Sequence, residues 1–445
     1  MLSRSNCSRE GLNNTLKVVG LCLLLPSGAA WAENCFSTPK NLPNTPQGWK
    51  TLQESLKKDT QHCLKSSVFF ALYGAAQLNS GQLNEAIESL ERALLLDPNN
   101  GAALIDYASA LYYSGQLFAA IDLNKQLLAR EDLPANLQPM LNKRAQLWQS
   151  KTLVQQRRID VRAGHDSNLN GATFIESITL NFPGQDITLP IEENTRAVAG
   201  RYIDVSIDQE SVYHSAFSKQ TFSVGANLRA SEHSDSNYFQ LSAAYTAQYT
   251  QPKRIWNWDN AIDYLHYNDS PLALTVSSTL KHQWLTNQAC QPFIQPSLEH
   301  LTVIEQRELN ALTFKARGGL LCRFERNIIA TRVDYIQDYA LSSARPGGDS
   351  NGWSVDLQWQ RPLFKGAISG ELKYSQVRDQ LSYNELLDNG ARRERVRKEF
   401  SLEYSQPLTT KSRFNVSLSK QRQTSNIDLF KQRSTRISVG FNKTF

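Results

Sequence analysis

The chain has 445 residues, with 48 Lys or Arg against 42 Asp or Glu, a formal charge of +6 at pH 7. So mild an excess leaves no electrostatic footprint for nucleic acid. Hydrophobic residues make up 40%, which suits a wall with one wet and one apolar side. No CxxC, HExxH, Walker or GxSxG pattern occurs, and the scattered His and Ser form no nucleophile–base set, so no enzyme, catalytic residue, cofactor or metal is expected.

The chain opens on a secretory pattern. Arg4, Arg9 and Lys17 precede an apolar run over 18–25, then Pro26, Ser27, Gly28 and Ala30-Trp31-Ala32. This predicts a signal peptide over 1–32. Its apolar core is far shorter than the roughly 20 residues a membrane helix needs, and no later segment comes close. Cys22 and Cys35 lack the small residues that precede a lipidated cysteine. Past the leader, four cysteines remain, and an even number in an exported chain predicts disulfides. One local pair is expected in each region, Cys35 with Cys63 and Cys290 with Cys322.

A helical domain is expected over 33–155. Gly81-Gln82-Leu83 recurs as Gly115-Gln116-Leu117 and Ala86-Ile87 as Ala120-Ile121; Gly74 aligns with Ala108, and Ala93-Leu94 with Leu127-Leu128. This period of 34 resembles the tetratricopeptide repeat, a helix–turn–helix unit. Small residues let helices approach, and Leu90 and Leu111 fill the layer between them. Flanking helices over 51–64 and 135–155 are expected to cap the stack. Asn79, Tyr112 and Tyr113 fall where a concave, client-binding face would lie; the plainer reading is packing or a solvated surface.

From 156 onward, apolar alternation predicts strands at 156–164, 199–210, 217–231, 236–250, 253–267, 271–286, 290–303, 308–324, 326–340, 352–361, 366–379, 392–406, 411–423 and 434–445. In the fourth, Phe239, Leu241, Ala243, Tyr245, Ala247 and Tyr249 face one way, with Gln240, Ser242, Thr246 and Gln248 opposite. A soluble sandwich would use strands of about five or six residues; these have the length that crosses a bilayer obliquely. The expected fold is therefore α + β multidomain, a helical solenoid followed by an antiparallel transmembrane β-barrel of about 14 strands over 156–445, with twelve or sixteen strands as alternatives. Long outer connections at 165–198, 341–351, 380–391 and 424–433 alternate with short inner turns near 251–252, 325 and 407. The closing strand sets Ile437, Val439 and Phe441 on one face, and the chain ends on Phe445, an aromatic terminus of the kind the barrel-assembly machinery favours. Lys443 interrupts that apolar face.

Within the barrel, Gly164-His165-Asp166-Ser167-Asn168-Leu169-Asn170 follows the first strand. Its carboxamides and carboxylate could ligate a cation, but no glutamate follows in calcium-loop register, and Asx side chains commonly satisfy backbone groups where a strand becomes a loop. Arg395 and Arg397 are expected in the lumen near Glu399 and Glu403, a charge ladder or a selective constriction. Arg392, at the rim, is placed to meet lipopolysaccharide phosphates. Cys290 and Cys322 are each sixteen residues from Gln306, so a hairpin turning there would set them opposite, with Cα atoms about 4.5 Å apart.

A leader, a short repeat domain and a barrel of about fourteen strands resemble the surface lipoprotein assembly modulator (Slam) family. The Gly164–Asn170 segment is similar to a Gly-aromatic-Asp-Ser-Asn-x-Asn motif found there, with His165 at the aromatic position, and the 436–445 strand is also similar. The resemblance implies an outer-membrane protein with a periplasmic repeat domain. It would deliver a lipoprotein or secreted client to the surface with help from the barrel-assembly machinery. Lipid and lipopolysaccharide would surround a monomeric barrel, and the family offers no catalytic residues. The alternatives are exopolysaccharide export and a passive pore or surface receptor.

Overall fold

The computed structural model describes residues 35–39, 41–286 and 288–445; the expected leader lies outside the described residues. The chain forms two compact units that divide between Thr152 and Leu153.

The first unit has six helices: α1 (Pro46–Asp59), α2 (Ser67–Asn79), α3 (Leu83–Leu96), α4 (Gly101–Tyr113), α5 (Leu117–Leu128) and α6 (Gln138–Gln149). Thr45, Ser66 and Asn100 cap α1, α2 and α4, each side chain accepting from a backbone N–H three residues on. The repeated Gly-Gln-Leu is a helix stop. Gly81 and Gly115 take φ of 86° and 85°. Around them, Gln82 N donates to Gln77 O and Gly81 N to Leu78 O, with Gln116 to Leu111 and Gly115 to Tyr112 in the second copy. These are paired Schellman closures, which favour glycine for its freedom at positive φ. Gly74 is small for a different reason: a Cβ there would stand 2.6 Å from Leu90 Cγ. Leu90, Ala86, Ala93, Ala108 and Ala120 are fully buried between the helices. Cys35 and Cys63 form a disulfide with Cα atoms 5.2 Å apart, beside Phe36 and Phe69.

Both flanking helices are displaced from the sequence reading, α1 to Pro46–Asp59 from 51–64 and α6 to Gln138–Gln149 from 135–155. α1 begins at Pro46 rather than 51, because the Thr45 cap and Pro46 in the first turn start it early. α6 ends at Gln149 rather than 155. The Ser150 and Thr152 hydroxyls donate to the Leu147 and Gln149 carbonyls, and residues 153–155 already pair with 211–213 as strand.

The second unit contains β1 (Leu153–Asp166), β2 (Ser177–Phe182), β3 (Gln185–Pro190), β4 (Gly200–His214), β5 (Ser218–Ser231), β6 (Tyr238–Gln251), β7 (Arg254–Tyr267) and β8 (Ser270–Trp284). It continues with β9 (Cys290–Val303), β10 (Ala311–Phe324), β11 (Asn327–Ala340), β12 (Ser350–Leu363), β13 (Gly366–Ser382), β14 (Arg392–Pro407), β15 (Ser412–Ser425) and β16 (Gln432–Thr444). Fourteen of them, β1 and β4 to β16, form a closed antiparallel barrel in which β1 pairs with both β4 and β16. β2 and β3 make a separate exposed hairpin inside the long 167–199 connection. Cys322 pairs directly with Cys290, and the two form a disulfide with Cα atoms 3.9 Å apart.

Side chains alternate across the wall. On β12, Trp353, Val355 and Leu357 are exposed outward, while Ser354 and Asp356 are buried toward the lumen. The same rule holds on β6, where Phe239, Leu241, Tyr245 and Tyr249 face out. An outer surface this apolar suits a hydrocarbon layer rather than water. The connections sort by end. One end carries 167–199, 232–237, 268–269, 304–310, 341–349, 383–391 and 426–431. The other carries shorter turns such as 252–253, 325–326 and 364–365, together with the start of β1 and the end of β16.

Candidate functional site

The Gly164–Asn170 segment sits where the barrel closes. Asp166, fully buried, is the inward residue at the end of β1, opposite Arg436 of β16 and Gly200 of β4. Its Oδ2 accepts from Arg436 Nε at 2.9 Å and Nη2 at 2.7 Å. Its Oδ1 accepts from Ser434 Oγ at 2.7 Å and Asn168 N at 2.9 Å. Charge-assisted bonds of this kind are about twice as strong as neutral ones.

The rest of the segment is spent on backbone. Asn168 Nδ2 donates to the Ala172 and Arg433 carbonyls, and its Oδ1 accepts from Ala172 N. Asn170 Nδ2 donates to Arg196 O at 2.7 Å, while its Oδ1 accepts from Val198 N at 3.2 Å. Ser167 N donates to Thr435 O, and Thr435 N to Ser167 Oγ. The segment therefore latches β1 to β16 and folds the start of the long connection onto its end. These oxygens accept from protein donors, the Asx arrangement in which side chains satisfy backbone groups where a strand becomes a loop. His165 points outward, exposed.

Gly164 completes the seam. A Cβ there would lie 2.5 Å from Ile437 O and 2.8 Å from Tyr202 Oη. Tyr202, its partner on β4, is buried with the Arg229 guanidinium 4.3 Å from its ring centroid. Arg229 in turn grips Asp204 with two bonds of 2.7 and 2.8 Å. Sequence reasoning missed Tyr202, Arg229, Ser434 and Arg436. Their inward parity could have signalled them; their neighbours could not be read.

The lumen carries further ion pairs. Arg317 grips Asp334 at 2.6 and 3.0 Å, and Ser354 donates to the same carboxylate. Arg332 meets Asp356 at 3.1 Å, and Arg393 meets Asp379 at 2.9 Å. Of the four expected lumenal charges, Arg397 pairs with Glu399 and also donates to Gln421 at 2.9 Å. Arg395 and Glu403 are not brought to one cluster. Eight residues at about 3.3 Å each separate them along β14; Glu403 lines a recess with Arg332 and Glu371. Arg395 Nε has no acceptor among the described residues.

In the helical unit, Tyr112 and Tyr113 come together, their centroids 5.4 Å apart. Tyr112 is taken up in packing: it stacks on Trp148 at 4.9 Å, beneath Lys151 Nζ. Tyr113 stays exposed. Asn79 instead serves its own helix, Nδ2 donating to Ala75 O at 2.8 Å. Behind Trp148, buried Arg144 donates to Asn124 Oδ1, Ile105 O and Ser109 Oγ. Buried Asp106 has no partner for Oδ1. Burial pushes its carboxyl up to about 7, against the opposing charge of Arg144, and burial pushes Arg144 down to about 10.

The tetratricopeptide repeat family model matches residues 77–143. The helical unit is tetratricopeptide-like. No curated protein matches the chain. Among solved structures, the chain is similar to the anion-selective porin from Comamonas acidovorans, at 7% identity over 66% of this chain and 99% of that one, TM-score 0.36. The outer membrane channel DcaP of Acinetobacter baumannii gives 9% over 66% and 98%, TM-score 0.38. The type III secretion translocator chaperone SycD of Yersinia enterocolitica gives 18% over 24% and 74%, TM-score 0.22. With similarities this low, none of them says what this chain does.

Proposed function

We propose that this protein is an outer-membrane factor that helps deliver a specific lipoprotein or secreted protein to the cell surface, without catalysis of its own. The observation that carries this is the union in one chain of a tetratricopeptide-like unit with a closed barrel whose seam is latched by the Gly164–Asn170 segment. Repeats of this kind bind extended partners on a concave face, and a closed barrel solves the backbone problem of crossing lipid. Both ends of the barrel's own chain lie with the short turns. Short turns belong on the periplasmic side of such barrels, so the repeat unit would enter from the periplasm. Client, barrel-assembly machinery and membrane lipid are then the partners, and the barrel acts as a monomer.

The test is surface display of a co-expressed client, followed by surface labelling. The full chain should display it, and a chain lacking 33–150 should insert a heat-modifiable barrel that displays none. Full display by the shortened chain would refute the recruiting role of the repeats. A passive anion pore is the second reading, favoured by Arg395, whose Nε lacks a protein acceptor in the lumen. Anion-selective conductance in planar bilayers, abolished by Arg395→Gln, would support that reading instead.

A further inference from the structure

The outer faces of β14, β15 and β16 change character abruptly near the end that bears the long connections. Running down from that end, β14 presents Arg392, Glu394, Val396 and Lys398, and then Phe400 and Leu402. β15 presents Arg422 and Lys420, then Leu418 and Val416; β16 presents Arg433 and Thr435, then Ile437 and Val439. Register sets three of the cations side by side, Lys398 opposite Arg422 and Arg422 opposite Arg433, with Lys420 opposite Phe400. All four are exposed, and among the described residues none forms an ion pair.

Like charges directly opposite one another destabilise a sheet, so this row asks for an anion from outside the chain. The nearby carboxylates are engaged elsewhere. Glu193 pairs with Arg196 at 3.3 Å, Asp428 with Lys431, and Glu394 accepts from Gln376. Two recesses flank the row. Below it, an apolar groove of ≈ 500 Å³ is walled by Leu357, Leu372, Tyr374 and Phe400, with Lys398, Lys420 and Arg422 on its edge. Above it, a polar recess of ≈ 890 Å³ is bounded by Phe174, Arg196 with its partner Glu193, and Lys420, Arg422 and Arg433. There the Arg433 guanidinium lies 4.7 Å from the Phe174 ring centroid.

We propose that this face is a docking site for a phosphorylated glycolipid of the lipid A type, in the outer leaflet. Its phosphates lie on Lys398, Lys420, Arg422 and Arg433, its saccharide in the upper recess and its acyl chains along the groove. Only an amphipathic anion satisfies charge and apolar wall together; a free phosphate would leave the groove bare. The proposal rests on the long connections facing outward, and not on client transport.

The test uses the full chain folded into phosphatidylethanolamine vesicles, with or without lipid A. Lysine acetylation is followed by mass spectrometry, with Lys365 and Lys411 at the opposite end as internal references. Lipid A should slow modification of Lys398 and Lys420 about ten-fold, and replacing all four cations by Gln should lower lipid A retention by a similar factor. Unchanged acetylation in the wild-type chain would overturn the proposal whether or not that variant folds. Equal protection by phosphatidylglycerol, or by inorganic phosphate alone, would also overturn it. Fractionation and surface display separate the two readings: a chain absent from the outer membrane would overturn both, whereas a chain that sits there, binds lipid A and displays no client would sink the transport reading alone.

Discussion

Asp166 and Arg436, 270 residues apart in the chain, meet at 2.7 and 2.9 Å across the strand pair that closes the barrel. The carboxylate is fully buried, whereas the Arg436 side chain is 40% exposed. Loss of the arginine therefore leaves a buried charge short of donors, whereas loss of the aspartate frees a cation that water can reach. Arg436→Ala should destabilise the folded barrel by about 2–4 kcal/mol, and Asp166→Ala by about 1–3 kcal/mol. The coupling between them should be at least about 1 kcal/mol. Urea midpoints in detergent, read by gel mobility of unheated samples, measure all three; additive losses would remove the latch.

Gly164→Ala should hinder closure more than its single methyl suggests. The new Cβ meets Ile437 O at 2.5 Å, a backbone atom that cannot swing aside. A loss of about 1–3 kcal/mol is expected, with slower conversion to the fast-migrating form in pulse-chase gels. Tyr202→Ala should not restore it, because the carbonyl remains.

The repeat unit should lose stability as pH rises. Asp106 titrates at about 7 in the folded chain, above its ordinary value of 3.8. A raised carboxyl contributes stability that is fully present below about pH 4 and lost as pH climbs through about 7. The loss should total a few kcal/mol. Asp106→Asn should flatten the curve, and helical circular dichroism during urea unfolding at several pH values checks it. A wild-type midpoint independent of pH between 4 and 7 would exclude the effect.

Alkylation of the unreduced, unfolded protein should leave Cys290 and Cys322 unmodified, since the two are bonded across one rung of the β9–β10 pair. Replacing both by Ser should cost about 2–4 kcal/mol, seen as a lower thermal midpoint in detergent. Recovery of both as alkylated cysteines without reduction would contradict the bridge.

Phe445 N donates to Arg157 O at 2.9 Å, the last tie of β16's end to β1. Removing Phe445 should slow insertion, measured as a delay in heat-modifiable protein after a pulse of synthesis, and insertion at the wild-type rate would count against a terminal signal.

All fourteen barrel strands were legible because a two-residue period survives in every one; β9 spans 290–303 as read, and no bound moves by more than four residues. The β2–β3 hairpin was not. Its strands of six residues are mostly exposed on both faces, so no buried side writes a period into them. The Gly-Gln-Leu repeat was visible as a recurrence, and its Schellman geometry follows from the glycine. Gly164–Asn170 was legible as Asx chemistry, yet its partners Arg433, Ser434 and Arg436 were not, because alternation gives a residue's face and never its neighbour across a closure. Arg395 and Glu403 share a face, and parity alone hid the length of strand between them.

The Asp166 carboxylate has a bearing on unfinished chains. Two of its donors, Ser434 and Arg436, lie on β16, so any product that stops before residue 434 leaves an anion stranded at an open edge. Such a fragment also lacks the strand that would cover the free N–H and C=O groups of β1. A chain that includes β16 and one that stops short of it thus differ at a single rung, where the same carboxylate either meets its guanidinium or faces an open strand edge.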